Sequence, residues 1–225
     1  RWRARPIGTS SVVHVLQGHV AFRQRQNTLA KSHYERALKA EPANVEADIF
    51  LQYARIRLGS SDDVETILRA HRSHPKWGGF AWLILGELRR AQERFEDAED
   101  SFTKALESLK ATTAPPWMRA EVFVQRALAW QQAKGWDHPN VEAYLQRATE
   151  VSSGYPEALY AQGVWALSIE PAKPEASIPP LERFLKVRPR DCQALRSIAR
   201  AHKLLGHDTK SSEYSARSAI HCAPK

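Results

Sequence analysis

Long apolar runs are missing from this sequence. No window of about 18 residues is apolar throughout, so we predict no membrane-spanning helix. Cysteine occurs only twice, at Cys192 and Cys222, which excludes a framework of several disulfides. The two cysteines lie near the start and the end of one predicted helical hairpin. A single bond between them is one alternative, and two free thiols are our expectation.

The motifs of common reaction centres are also missing. The sequence has neither of the glycine-rich loops that cradle phosphate groups, and it has no H-E-x-x-H or C-x-x-C motif for zinc. His71 and His74 are three residues apart at a predicted helix end, but no third ligand accompanies them. We expect them to interact with the helix C-terminus. We therefore predict no catalytic residue, no metal, no cofactor and no small-molecule substrate.

Acidic residues are fewer than basic ones: 25 Asp and Glu stand against 33 Lys and Arg, which gives a formal net charge of +8. An excess of this sign favours acidic partners or surfaces and says nothing about the fold. A generally basic proteome is an equally weighted explanation.

Residues 82–106 contain the clearest pattern in the chain. Most of their apolar residues recur at intervals of three or four, which is typical of one face of an α-helix. The polar residues 92–94 interrupt this pattern, so we predict two short antiparallel helices. The apolar positions are Trp82, Leu85, Leu88 and Ala91 in the first helix, and Phe95, Ala98, Phe102, Ala105 and Leu106 in the second.

The pattern W-x-x-L-G followed by A-x-x-x-F resembles the tetratricopeptide repeat, a helix–turn–helix unit of about 34 residues. Arg89 stands where the family has an aromatic residue, and Lys110 stands where it has a proline. The resemblance implies an all-α solenoid wound into a right-handed superhelix, with the first helix of each pair lining a concave groove. The positions that carry it are Trp82, Leu85, Gly86, Ala98, Phe102 and Ala105.

About six antiparallel helix pairs follow one another at this period. We predict a basic tail over residues 1–10 and then a single array, with a polar last helix that suits a terminal unit. Residues 111–116 are interpreted as a loop, with a hinge as the alternative. The predicted repeats are residues 11–44, 45–78, 79–112, 117–153, 156–189 and 191–225.

Several helix ends have recognisable signals. Ser10 or Ser11 is expected to cap the first helix, and Asp62 with Glu65 resembles a capping box. Asp137 or His138 is expected to cap a helix that has proline in its first turn. In the fifth repeat, we predict an enlarged turn over residues 170–177 and a second helix over residues 179–187.

The resemblance predicts a partner-binding groove whose middle is apolar and aromatic and whose C-terminal end is cationic. An amphipathic helix or an extended segment with an acidic end would suit it. Packing against the neighbouring repeat is the alternative role for the apolar positions. The candidate residues are His19, Phe22, Tyr53, Phe80, Glu87, Arg90, Tyr160, Arg196, Arg200 and Lys203.

These observations favour a non-catalytic scaffold or adaptor that binds a peptide or a partner protein within a larger complex. The net charge makes a protein that contacts RNA or DNA one alternative. A substrate-recruiting arm of a larger enzyme is another. We do not expect a clamp for the acidic tails of heat-shock chaperones, because the Lys and Asn pair of that subfamily is missing from the first helices.

Overall fold

The computed structural model describes residues 9–60, 62–112 and 114–222, which form twelve α-helices and no β-strand. The all-α prediction and the helix-pair architecture are confirmed. The predicted tail over residues 1–10 lies almost entirely outside the described residues.

Three consecutive helix pairs form the first compact unit, which extends to Ala114. Each first helix packs against its own second helix and against the preceding pair. The pairs are α1 (Thr9–Arg23) with α2 (Asn27–Ala40), α3 (Val45–Arg57) with α4 (Val64–His71), and α5 (Gly78–Ala91) with α6 (Phe95–Lys110).

Three further pairs form the second compact unit, which begins at Pro115. The division between the units falls in the predicted loop. Whether all six pairs act as one array stays a prediction. The pairs are α7 (Pro116–Lys134) with α8 (Pro139–Val151), α9 (Pro156–Ser168) with α10 (Pro174–Val187), and α11 (Cys192–Leu204) with α12 (Asp208–Cys222).

Three pairs bring their helices together by placing a glycine of the first helix against a large side chain of the second. A methyl group added to Gly86 would lie 2.3 Å from Cε1 of Phe102, which no relaxed structure tolerates. Gly86 and Phe102, two of the positions that carry the family resemblance, are therefore in direct contact. The three contacts are Gly18 with Tyr34, Gly86 with Phe102, and Gly163 with Leu181.

Aromatic rings fill the core of the first unit. The ring centroid of Phe50 on α3 lies 4.3 Å from that of His19 and 4.7 Å from that of Phe80. The ring centroids of Phe22 and Tyr53 are 4.6 Å apart. Such offset and edge-to-face pairs stabilise a core beyond the burial of their area. Rings from α1, α3 and α5 thereby join three successive repeats.

Two predicted helix starts in the first unit are wrong. Helix α1 begins at Thr9, so Ser10 and Ser11 lie inside its first turn. Ser11 is fully buried, and its Oγ accepts a hydrogen bond of 3.0 Å from Asn44, the residue that caps α3. At α4 the predicted capping box does not form, because Asp63 precedes the helix without a side-chain cap and the carboxylate of Glu65 binds arginines instead.

In the second unit, one predicted helix start is right and one is wrong. His138 caps α8, since its Nδ1 accepts the N–H of Asn140 at 3.3 Å. Helix α10 begins at Pro174, inside the predicted turn, because proline is well tolerated at the first position of a helix. Pro179 and Pro180 follow inside this helix, and the side chain of Ser177 donates a 2.7 Å hydrogen bond to the carbonyl of Pro174.

The expected pair of free thiols is also wrong. Cys192 and Cys222 form a disulfide with an S–S distance of 2.05 Å. The first residue of α11 and the last residue of α12 meet because the two helices are antiparallel and of similar length. This bond ties the two ends of the last helix pair together.

Candidate partner-binding surface

Three of the predicted groove residues lie inside the first unit. Tyr53 is 5% exposed, Phe80 1% and Glu87 2%. The hydroxyl of Tyr53 donates a 2.5 Å hydrogen bond to Oε1 of Glu87, and Oε2 of Glu87 lies 3.0 Å from the guanidinium of Arg57. These side chains join α3 to α5 and offer little surface to a partner.

His19 and Phe22 on α1 are half-buried. His19 places Nδ1 2.9 Å from the hydroxyl of Tyr34 and Nε2 2.9 Å from Oε1 of Glu46. Because a carboxylate can only accept, the neutral imidazole carries its proton on Nε2 and accepts from Tyr34 through Nδ1. Burial, assisted by the nearby charge of Glu46, raises the pKa of Tyr34, which therefore keeps its proton as the donor.

Arg90 and Tyr160 are also half-buried. Arg90 lies near the end of α5. Tyr160 on α9 donates a 3.2 Å hydrogen bond to Oε1 of Gln193 on α11, and its ring lies 5.2 Å from that of Phe184. Tyr160 therefore joins the fifth repeat to the sixth.

Arg196, Arg200 and Lys203 are exposed on one face of α11, and we call them the cation row. Their spacing of four and then three residues places them along one side of the helix. None of the three forms an ion pair with another residue that the structure describes. Of the ten predicted residues, these three are the fully exposed ones.

The cation row forms one wall of a cleft of about 630 Å³ between α11 and α12. We call it the terminal cleft. Three serines of α12 line the other side of the cleft. The remaining lining is small and apolar. Besides the cation row, the cleft is lined by Ala199, Ser211, Ser215, Ser218, Ala219 and Cys222.

The last pair differs from two other pairs at a position where they have an aromatic ring between the helices. Ser215 follows Ala199 by the 16 residues that separate Gly18 from Tyr34 and Gly86 from Phe102. A serine therefore stands where an aromatic ring fills the space between the helices elsewhere. The sequence showed this change, but a serine-rich last helix was interpreted only as a polar outer face.

Helix α12 packs along α11 but has a mostly exposed surface. Ser218 is its one buried residue, and Oγ of Ser211 donates a 3.0 Å hydrogen bond to the carbonyl of Ala199. The ring of Tyr214 stacks on that of His202, with centroids 5.6 Å apart. Burial, with the positive charges of Lys210 and His207, lowers the pKa of His202 and favours its neutral form. The disulfide adds a covalent link to this packing.

In the first unit, by contrast, arginines are bound to a carboxylate. Glu65 on α4 accepts from Arg69 at 2.7 Å, from Arg89 at 3.2 Å and from Arg94 at 3.3 Å. Burial acts to raise the pKa of Glu65, but hydrogen bonds and charge from Arg69 and Arg89 outweigh it and hold the pKa below its ordinary value. Arg89, in the place of the family's aromatic residue, also donates to Ser101 at 2.7 Å.

The two histidines considered for a metal have other partners. Nε2 of His71 lies 2.7 Å from a carboxylate oxygen of Asp48, and Nδ1 of His74 accepts the N–H of Trp77 at 3.1 Å. They do not bond the last carbonyls of α4 as expected, because a carboxylate and a turn N–H lie closer. Within the described residues, no three metal-ligating side chains come together. Nor does any described helix have the length and apolar content needed to cross a membrane.

The chain is similar to one repeat family and to several solved structures. Residues 12–44 match the family described as Tetratricopeptide repeat. Over 98% of this chain and 96% of the other, pilF of Pseudomonas aeruginosa is 14% identical with a TM-score of 0.65. PilW, described as a type IV pilus biogenesis factor, is 18% identical with a TM-score of 0.65, covering 96% and 94% of the two chains.

A third similar structure is a thermophilic TPR protein of Thermus thermophilus. It is 22% identical with a TM-score of 0.63, covering 85% of this chain and 98% of that one. None of the curated proteins matches significantly. At these identities the structural likeness shows the fold. The family match thus covers residues 12–44, and the chain as a whole has the fold of consecutive helix pairs seen in these solved structures.

Proposed function

We propose that this protein is a non-catalytic scaffold that binds an acidic segment of a partner protein. The observation that carries the proposal is the cation row, three exposed positive side chains that no described carboxylate neutralises. Helical repeats of this kind expose long surfaces and generally act as interaction modules. The positive net charge of the chain also favours encounters with acidic partners.

A comparison within the chain supports this role for the cation row. Arg57, Arg89 and Arg94 each pair with a glutamate, so the fold has carboxylates in place where it uses a guanidinium internally. The cation row has no such pairing with any residue that the structure describes. Its charges therefore stay free to pair with carboxylates brought by another molecule, and charge complementarity of this kind selects and orients partners.

Peptide binding followed by fluorescence anisotropy tests the proposal. We expect a labelled peptide rich in glutamate to bind, and a peptide of the same length with lysine in place of glutamate not to bind. The double variant Arg196→Glu with Arg200→Glu should bind the acidic peptide about tenfold more weakly or worse. Each substitution replaces a positive charge with a negative one, so attraction becomes repulsion.

The matched control is Arg36→Glu with Lys39→Glu, which makes the same charge change on exposed positions of α2. This control should bind almost as the unmodified protein does. Equal weakening by both double variants would mean that only the overall charge matters and would contradict the proposed site.

The second candidate function is nucleic-acid binding, which the net charge of +8 favours. Its signature would be tighter binding of single-stranded RNA than of the acidic peptide, with affinity falling steeply as salt rises. That outcome in the same assay would replace the first proposal. Absence of RNA binding at low salt would eliminate the second.

A further inference from the structure

We propose that the acidic segment binds as an α-helix seated in the terminal cleft, in the place that the first helix of a further repeat would occupy. The inference rests on the proposed function and adds the site, the conformation and the charge pattern of the ligand. It commits to an acidic helix of a partner protein.

The first argument concerns the side of α11 that faces away from the preceding helix pair. In the second unit, α11 packs against α9 and α10, and its Leu195 and Ile198 enter a core that contains Leu181 and Phe184. The cation row lies on the exposed side of α11, and the buried Ala199 lies between that side and the core. Within residues 114–222, no helix follows to cover that side. The surface therefore has the form that receives a helix elsewhere in this unit.

The second argument is the space itself. Ala199, Ser215 and Ala219 line the terminal cleft with small side chains, whereas Tyr34 and Phe102 fill the space between the helices of their own pairs. A cleft of about 630 Å³ admits the side chains of one helix face. Small residues on the ligand's inner face would let its backbone approach closely.

The third argument is the chemistry of the walls. Arg196 and Lys203 are seven residues apart, which corresponds to about 10 Å along α11. Carboxylates spaced four and seven residues apart on a neighbouring helix would match the cation row. On the other side of the cleft, Ser215 has a hydroxyl group that can donate to an incoming carboxylate, whereas the hydroxyl of Ser211 already donates to the carbonyl of Ala199. Apolar area is scarce in this cleft, so charge and hydrogen bonds provide most of the selectivity.

The experiment compares three peptides of about 15 residues, a length at which an isolated helix is marginal and binding can induce it. The first has glutamates at positions matched to the cation row and alanine elsewhere. The second has the same composition in scrambled order, and the third has a central proline that prevents a continuous helix. Anisotropy gives affinities, and circular dichroism reports helix formation on binding.

We expect the matched peptide to bind about tenfold more tightly than the other two and to become helical when bound. Two variants then test the location. Ser215→Phe restores the ring that other pairs carry and should close the terminal cleft without changing its charge. Ser212→Phe, at an exposed position of α12 outside the cleft lining, is the matched control. We expect about tenfold weaker binding for the first and little change for the second.

The outcomes separate the two proposals. Binding that needs the cation row but is unaffected by Ser215→Phe would place the acidic segment outside the terminal cleft and overturn this inference, while the proposed function would stand. Equal binding of the proline-containing peptide would overturn the helical conformation. If no acidic peptide bound the unmodified protein at all, the proposed function itself would fail. Hydrogen exchange of α12 in each variant confirms that the last pair remains folded.

Discussion

Tyr53 donates its hydroxyl hydrogen bond to Glu87, which follows it by 34 residues. The separation equals the period of the repeat, so equivalent first helices α3 and α5 are joined by side chains one period apart. The same separation recurs in the second unit, where Tyr155 donates to Glu121 across 34 residues at 2.5 Å. Buried polar pairs thereby fix the register of neighbouring repeats, because a shift of either helix would leave a carboxylate without its donor.

The first prediction concerns this buried pair. Tyr53→Phe keeps the ring but removes the hydroxyl, so Glu87 loses a charge-assisted hydrogen bond in a site with almost no solvent. We expect the free energy of unfolding to fall by about 1–3 kcal/mol, measured by urea titration. The control is Tyr160→Phe, whose hydroxyl bond to Gln193 is exposed and should contribute little. Equal losses in the two variants would show that burial of Glu87 is not the cause.

The second prediction concerns pH. Glu65 has a lowered pKa in the folded protein, so its stabilising effect is fully present above its unfolded pKa, near 4.5, and is lost as the pH falls through the lower folded value. Glu65→Gln should therefore cost about 1 kcal/mol at pH 7, and the difference from the unmodified protein should shrink below pH 4.5.

The control for this pH experiment is Glu150→Gln, which removes an exposed ion pair with Arg147. Exposed pairs contribute little to stability. Urea titrations at neutral and acidic pH check both variants. A cost for Glu65→Gln that persisted at low pH would mean that packing rather than charge connects α4 to the arginines.

The third prediction tests the close approach of α5 and α6. Gly86→Ala would place a methyl carbon 2.3 Å from Phe102, so the ring must move. We expect a loss of about 1–3 kcal/mol in the free energy of unfolding. Gly154→Ala is the control, because the added carbon there has no atom within 4 Å. Thermal unfolding of both variants, with Phe102→Leu added to relieve the clash in the first, would show whether crowding is responsible.

The sequence predicts the fold well where the family spacing is strict. Gly86 and Phe102 stand at the expected offset, and their contact follows from the spacing alone. It predicts less where a side chain departs from that pattern. Arg89 replaces an aromatic residue, and its buried position depends on Glu65 and Ser101, which come from two other helices and have no spacing signal.

The sequence likewise predicted one part of the candidate surface and missed another. Arg196, Arg200 and Lys203 were predicted from the inward-facing positions of one helix, and they are exposed on one side of α11. Their opposite wall was not predicted, because a cleft depends on what α12 lacks as well as on what α11 presents. Tyr53 and Glu87 were assigned to a groove since helical spacing cannot distinguish a surface position from one that a neighbouring repeat covers.

The last prediction concerns the disulfide that ties α11 to α12. The bond closes a loop between Cys192 and Cys222, a separation of 30 residues, and adds a covalent link to the packing of a helix that has only one buried residue. By the chain-entropy estimate, a loop of this length stabilises by about 3–4 kcal/mol. Cys192→Ser should therefore raise the hydrogen-exchange rates of α12 while leaving those of α5 and α6 unchanged.

Cys222→Ser should have the same effect on the exchange rates of α12. The double variant should show no further increase, since either substitution already removes the bond. Unchanged exchange in α12 would show that His202, Tyr214 and Ser211 hold the last helix without the disulfide.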